Sequence, residues 1–374
     1  MGGGAMRAGD VLDGRYQLIG ELGRGGFGVV FRALDQQLER EVAVKLLADQ
    51  YAAEPRDLAR FRGEAIAAAK LNHRNIVALY DFPKAPPEPY MVMELITGRS
   101  LAAVLKAGRP EPDTALGWVG QLCDALDAAH RAGVVHRDIK PENIMITDAG
   151  EVRVLDFGIA RLESRSTGLT STGTVIGSPH YLAPERWRGE DSGGRSDLYA
   201  VGCVLYELCT GRTPFQAEDA YGMMYCHLER EPDAPRGLAP LLPVDLERLI
   251  LDLLAKDPGD RPADAAEVRR RLDGIRPGRW RELKARADAA WALGADGDPA
   301  AAVRELRPLV VEFTRECGPS DPRTLRTGHD LALWLARDGQ TAEAVGLLTE
   351  IRAAAPDGPL AEAAARDLAR FERG

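Results

Sequence analysis

The run His136-Arg137-Asp138-Ile139-Lys140-Pro141-Glu142-Asn143, followed by Asp156-Phe157-Gly158, gathers the side chains best suited to chemistry in this sequence. Two carboxylates, an amide and an amine at this spacing suit phosphoryl transfer, which depends on positioning and charge more than on covalent chemistry. Asp138 can accept or orient the proton of an attacking hydroxyl, and Lys140 brings positive charge to a migrating phosphoryl group. Asn143 and Asp156 offer oxygen ligands. A hard cation such as Mg²⁺ takes a sparse set of this kind, with phosphate and water completing its shell.

Two features upstream fit the same chemistry. Gly23-Arg24-Gly25-Gly26-Phe27-Gly28 is a loop whose glycines let backbone N–H groups approach phosphates without side-chain collision. A strand pattern follows it where a dinucleotide-binding fold needs a helix, which disfavours that alternative. Lys45 ends the apolar run Val42-Ala43-Val44, and burying an unpaired ammonium is costly. It is either an outward-facing strand residue or a phosphate-holding lysine braced by a carboxylate, for which Glu64 is the candidate.

The elements that must position these groups change character along the chain. Strand-like runs are expected at Tyr16–Leu22, Val29–Ala33, Glu41–Leu47, Ile76–Phe82 and Tyr90–Leu95, with one helix over Pro55–Leu71. Helices are expected at Ser100–Leu105, Asp113–Ala132, Asp197–Thr210 and Val244–Lys256, with short strands around Asn143–Asp156. A strand-rich lobe followed by a helix-rich lobe makes a two-lobed α+β fold, and nucleotide sites favour the cleft between such lobes.

Beyond Gly274–Gly278 the sequence turns Ala-, Leu- and Arg-rich and repeats itself at an offset of 42 residues. Trp291-Ala292-Leu293 lines up with Leu333-Trp334-Leu335, and Leu306 with Leu348. Such a period marks helix-pair repeats. The domain expectation is a flexible 1–15, a catalytic domain over 16–272, a linker at 273–279 and an all-α repeat module over 280–374.

Composition narrows the function classes. A net charge of −9 argues against nucleic acid as the main partner, because phosphate backbones want a basic surface. No run approaches the ~20 apolar residues of a membrane span, and no signal-peptide pattern opens the sequence, so a cytoplasmic protein off the membrane is expected. Cys123, Cys203, Cys209, Cys226 and Cys317 form no metal-ligand spacing and are expected to be reduced thiols.

Taken together, these motifs resemble the eukaryotic-type protein kinases. Gly23, Gly25, Gly28, Lys45, Glu64, His136–Asn143, Asp156–Gly158 and Ala183-Pro184-Glu185 match that family's order and spacing over about residues 16–272. Val175-Ile176-Gly177 and Tyr181-Leu182-Ala183-Pro184-Glu185 look most like bacterial serine/threonine kinases, and Lys140-Pro141-Glu142 resembles the Ser/Thr-specific group. Residues 280–374 resemble tetratricopeptide repeats, notably Gly318–Leu325 and Asp338–Ala344.

The resemblance implies ATP, Mg²⁺ and protein substrates. It implies catalytic roles for Asp138, Lys140, Lys45 and Glu64, and metal binding by Asn143 and Asp156. Leu22, Gly23, Gly25, Gly28 and Lys45 would meet ATP; Val30 and Ala43 would sandwich adenine. Met93 would be the gatekeeper, and Glu94 and Ile96 would offer backbone groups. Ordinary core packing for Val30 and Met93 is compatible with those roles. Asp197 would brace the catalytic loop, and Arg261 would pair with Glu185.

Between Asp156 and Glu185 lies a hydroxyl-rich segment in which the resemblance singles out Thr170 and Thr172 for regulatory autophosphorylation. Arg137 is suited to pair with such a phosphate. Ser178 stands where the family usually has Thr, keeping the hydroxyl.

Two other readings compete. A pseudokinase scaffold predicts loss of Lys45, Asp138, Asn143 or Asp156, and all four are present. A small-molecule phosphotransferase lacks the segment that Ala183-Pro184-Glu185 forms. The module at 280–374 holds about two repeats where three usually make a stable array, so it is expected to pack on the preceding domain or to dimerise, and to bind a protein partner.

Overall fold

A computed structural model describes residues 6–25, 28–47, 69–82, 90–157, 179–190, 193–239, 242–275, 279–354 and 359–371. The chain divides into two compact units, Met1–Pro240 with Leu249–Gly274, and Leu241–Arg248 with Ile275–Gly374.

In the first unit, β1 (Val11–Leu12), β2 (Tyr16–Gly25), β3 (Gly28–Asp35), β4 (Arg40–Leu47), β5 (Leu79–Asp81) and β6 (Tyr90–Glu94) form an antiparallel sheet in the order β1-β2-β3-β4-β6-β5. Alternation along these strands buries two apolar layers, one on each face. Tyr16, Leu18, Phe31, Val42, Val44 and Val92 fill one layer, while Ala43, Leu47, Met91 and Met93 fill the other. Arg15 ties the sheet's edge through a bidentate pair with Asp35, at 2.8 and 2.7 Å.

The strand expected from Ile76 begins only at Leu79. Ile76 and Val77 are drawn instead to Val154: Val77 N–H donates to Val154 O at 3.0 Å. The apolar run therefore serves two sheets rather than one.

A smaller sheet of β7 (Gly98–Ser100), β8 (Ile144–Thr147) and β9 (Val152–Val154) lies among helices α1 (Leu101–Ala107) and α2 (Pro112–Arg131). Ser100 caps α1, its hydroxyl accepting from Ala103 N–H at 3.2 Å. The unit continues through α3 (Pro184–Trp187), α4 (Gly194–Thr210), α5 (Ala220–Leu228) and α6 (Pro235–Leu238). The chain division falls inside α7 (Val244–Leu253), and the first unit closes with α8 (Ala265–Gly274). Helix α4 is apolar on nearly every side, as befits a helix inside a core, and stops at Gly211, whose φ of 83° is left-handed.

Helix α7 ends three residues before the expected boundary at Lys256. The Lys256 ammonium instead reaches the carbonyls of Cys226 and His227, each at 3.0 Å, satisfying acceptors at the end of α5.

The second unit contains α9 (Arg279–Ala295), α10 (Pro299–Cys317), α11 (Pro322–Arg337), α12 (Thr341–Ala354) and α13 (Pro359–Phe371). Each packs on the next, and α11 also approaches α9 and α13. Leu306, Leu309, Phe313, Trp334, Leu335 and Leu348 form its core, with Trp291 against Trp334 at 4.9 Å between ring centroids. Asp298 and Asp321 cap α10 and α11.

Candidate active site

Residues 136–143 follow α2 and lead into β8, and their loop is held from behind by one buried carboxylate. Asp197, 1% exposed on the first turn of α4, accepts His136 N–H at 2.9 Å and Arg137 N–H at 2.7 Å. It also meets His130 Nε2, at 2.8 Å. Burial alone would raise the Asp197 carboxyl, but the bonds from His130 and the His136 N–H outweigh it and hold the group below the usual carboxylate range.

His136 locks the next step. Its Nδ1 accepts Asp138 N–H at 3.2 Å and its Nε2 donates to Leu155 O at 2.7 Å, which fixes a neutral imidazole with its proton on Nε2. Its ring meets Phe157 edge-on, at 4.6 Å between centroids.

On this frame Asp138, Lys140 and Asn143 converge. Lys140 Nζ lies 2.7 Å from Asp138 Oδ2, and Asn143 Nδ2 donates to the same oxygen and to Asp138 O, both at 2.8 Å. Because the Asn143 amide nitrogen is engaged, its oxygen is the atom available for a cation. Across the site, Lys45 Nζ donates to Asp156 Oδ2 at 2.6 Å. Lys45 is buried within β4, so the outward-facing alternative does not hold. Arg137 and Asp156 both have left-handed φ, 69° and 59°, a conformation that non-glycine residues keep only where their surroundings enforce it.

The expected nucleotide-binding residues gather nearby. Val30 packs against the apolar layer containing Ala43 and Met93, and register pairs Ala43 with Met93 and Val30 with Lys45. Glu94 gives its N–H to Ala78 O at 2.9 Å, and Ile96 follows β6. Leu22 is exposed. Gly23 and Gly25 pair with Val30 and Gly28 in the β2–β3 hairpin, and open space surrounds both glycines. Gly28 has φ 140°, and a Cβ there would fall 1.8 Å from Leu46 O, so only glycine fits.

Glu185 and Arg261 meet in a buried bidentate pair at 2.8 Å, to which Ser196 Oγ donates as well. Burial pushes the Glu185 carboxyl up, but the Arg261 and Ser196 bonds win and lower it. Glu64, Gly158, Thr170, Thr172 and Ser178 lie outside the described residues.

Residues 16–271 match the protein kinase domain family. The chain belongs to that family. Among kinase relatives, PknB of Mycobacterium leprae is 43% identical over 272 residues, covering 71% of this chain and 44% of its own. A probable serine/threonine-protein kinase of Streptomyces coelicolor is 42% identical over 303 residues, covering 78% and 45%. The chain thus spans under half the length of these curated relatives. The crystal structure of the Mycobacterium tuberculosis PknI kinase domain, in a cysteine-to-alanine variant, superposes with a TM-score of 0.59 at 25% identity, covering 72% of this chain and 98% of that one. The two-lobed kinase fold is therefore established.

Several residues that shape this kinase site carry no signal in the motif pattern. His130 sits outside the octet yet bonds Asp197. Asn75, 2% exposed, bridges Gln121 Oε1 and Val152 O, both at 2.9 Å, and its own carbonyl accepts Val154 N–H. Arg186 is buried behind Arg137. Each is revealed only by contacts across long sequence separations.

Proposed function

We propose that this protein transfers the γ-phosphoryl group of ATP to serine or threonine hydroxyls of protein substrates. The observation that carries the reading is the convergence of Lys45–Asp156 and Asp138–Lys140–Asn143 on one site. Both donors on Asp138 engage Oδ2, so Oδ1 is the oxygen left to take a hydroxyl proton. The substrate oxygen forms a bond to the γ-phosphorus, the bond to the β–γ bridging oxygen breaks, ADP leaves, and the proton passes to Asp138. Lys140, close to the acceptor, would offset charge on the migrating group.

The donor set fits a hard divalent cation: the Asp156 carboxylate and the Asn143 amide oxygen would hold Mg²⁺, which when bound supplies charge neutralisation on the phosphates. Lys45 would meet the phosphates, with Glu64 as its further brace. Val30, Ala43 and Met93 would enclose adenine, with Leu22, Glu94 and Ile96 at its edges.

Regulation in this reading runs through Thr170 and Thr172, whose phosphates would pair with Arg137. We assign the kinase domain to 16–272 after a terminal 1–15, with 273–279 a linker. Residues 280–374 would form tetratricopeptide-like repeats, supported by the packing of α11 on both α9 and α13, and would recruit a protein partner or a second copy.

Incubating the full-length protein with labelled ATP, Mg²⁺ and a generic basic protein tests the activity, with Lys45→Met as control. Label on serine and threonine that vanishes in the control supports it; equal label in both overturns it.

A further inference from the structure

Arg186 follows Glu185 on the short helix α3 and is only 7% exposed, an unusual place for a guanidinium. Its Nη1 donates to the backbone oxygen of Arg137. Its Nη2 is buried without a hydrogen-bond acceptor among the described residues.

The residue it grips is the one preceding Asp138, and that residue is left-handed at φ 69°. A non-glycine residue in this region is strained and would relax if released. Arg137 cannot relax easily, because both of its peptide groups are tied. Its N–H goes to Asp197 Oδ1 at 2.7 Å, and its carbonyl receives Arg186. The Asp197 half is part of the expected brace of the catalytic loop; the Arg186 half has no counterpart in the motifs.

We propose that Arg186 is a positioning residue for phosphoryl transfer, holding the 137–138 peptide so that the Asp138 carboxylate faces the acceptor hydroxyl. The proposal rests on the kinase reading of Asp138. Its helix is itself anchored: the neighbouring Glu185 is fixed by Arg261 at 2.8 Å, so Arg186 is delivered to Arg137 from a rigid point.

Energetics separate this role from a merely structural one. A buried cation with an unsatisfied N–H is itself unfavourable, so removing it offsets the loss of the one hydrogen bond that Arg186 gives to the Arg137 carbonyl. A methionine at 186 should therefore fold as well as arginine while freeing the Arg137 carbonyl.

The test compares the full-length protein with Arg186→Met, Arg186→Lys and Asp138→Asn, at matched activation-segment phosphorylation checked by mass spectrometry. Thermal midpoint, KM for ATP and kcat are measured for each. Arg186→Met is expected to keep its midpoint and its KM for ATP while kcat falls ~10-fold, as a small misplacement of a catalytic group predicts. Arg186→Lys retains a donor and is expected to recover most of that loss. An unchanged kcat in Arg186→Met overturns the proposal. So does a kcat loss that follows a lowered midpoint and is not recovered by lysine. Activity surviving in Asp138→Asn would instead sink the underlying reading of Asp138, so the two failures are distinguishable.

Discussion

Lys45 Nζ and Asp156 Oδ2 lie 2.6 Å apart although 111 positions separate them in the chain. One residue belongs to the β-rich lobe and the other follows β9 in the smaller sheet, so their bond joins the two sides of the site. Lys45 is 5% exposed, a position at which burying an ammonium without a partner is costly.

Removing either end should harm catalysis directly, and Asp156→Asn should also cost some stability because the buried Lys45 ammonium loses this carboxylate. Lys45→Met or Asp156→Asn is expected to lower kcat/KM by about 10²-fold or more, since each removes charge from the region where charge develops. Steady-state assays with labelled ATP measure this. Retention of full activity by either variant would contradict the placement of these two groups at the reaction centre.

The Glu185–Arg261 pair predicts the opposite balance. Its side chains are 4% and 0% exposed, so cutting Arg261 to methionine strands a buried carboxylate, at a cost of about 3–5 kcal/mol. Thermal unfolding should show a large drop in midpoint, partly recovered in the Glu185→Gln, Arg261→Met double variant. Because the Glu185 carboxyl is lowered in the folded protein, its contribution is present above the ordinary carboxylate pKa. It disappears as pH falls through the lowered value.

These contrasts also mark what the sequence could reveal. The meeting of Asp138, Lys140 and Asn143 was legible in their order and spacing, because phosphoryl transfer restricts residue type and order so tightly. Strands β3, β4 and β6 were legible from β-branched runs, to within a residue or two at each end. Ile76–Phe82 misled because its apolar residues answer to two sheets, and periodicity does not say which neighbour a strand will choose. Arg186 and His130 were invisible for a related reason: an isolated arginine or histidine acquires its meaning only when a distant backbone carbonyl or carboxylate arrives beside it.

His227 gives the domain a sensitivity to acid. Its ring is fully buried among Trp187, Tyr199 and Phe215, with Nδ1 bonded to the Tyr199 hydroxyl at 2.8 Å. Burial, aided by the positive charges of Lys256 and His180, pushes its pKa down to about 3 from the ordinary 6.5. Between those values the unfolded chain binds the proton and the folded one does not, so stability rises with pH across the window and falls on acidification. One unit below 6.5 the loss is about 1.4 kcal/mol. Thermal midpoints between pH 7 and 4.5 should fall less steeply in His227→Asn, which keeps an acceptor for Tyr199. An equal slope in both proteins would dismiss His227 as the sensor.

The second unit offers a test in which two opposing terms can be weighed. Gly294 lies inside helix α9, where alanine would ordinarily gain ~1 kcal/mol of helix propensity. A Cβ at that position, however, would sit 2.6 Å from the ring of Trp334, itself 2% exposed and packed against Trp291. The indole cannot swing aside without disturbing the core around Leu306 and Leu335, and overpacking of this kind costs about 1–3 kcal/mol. The steric term should win. Gly294→Ala is expected to lower the unfolding midpoint of the C-terminal unit, followed by tryptophan fluorescence, while Gly346→Ala, with open space around it on α12, should leave that midpoint unchanged or raise it. If both glycines tolerate alanine equally, the close approach of α9 to Trp334 is not what holds these helices together.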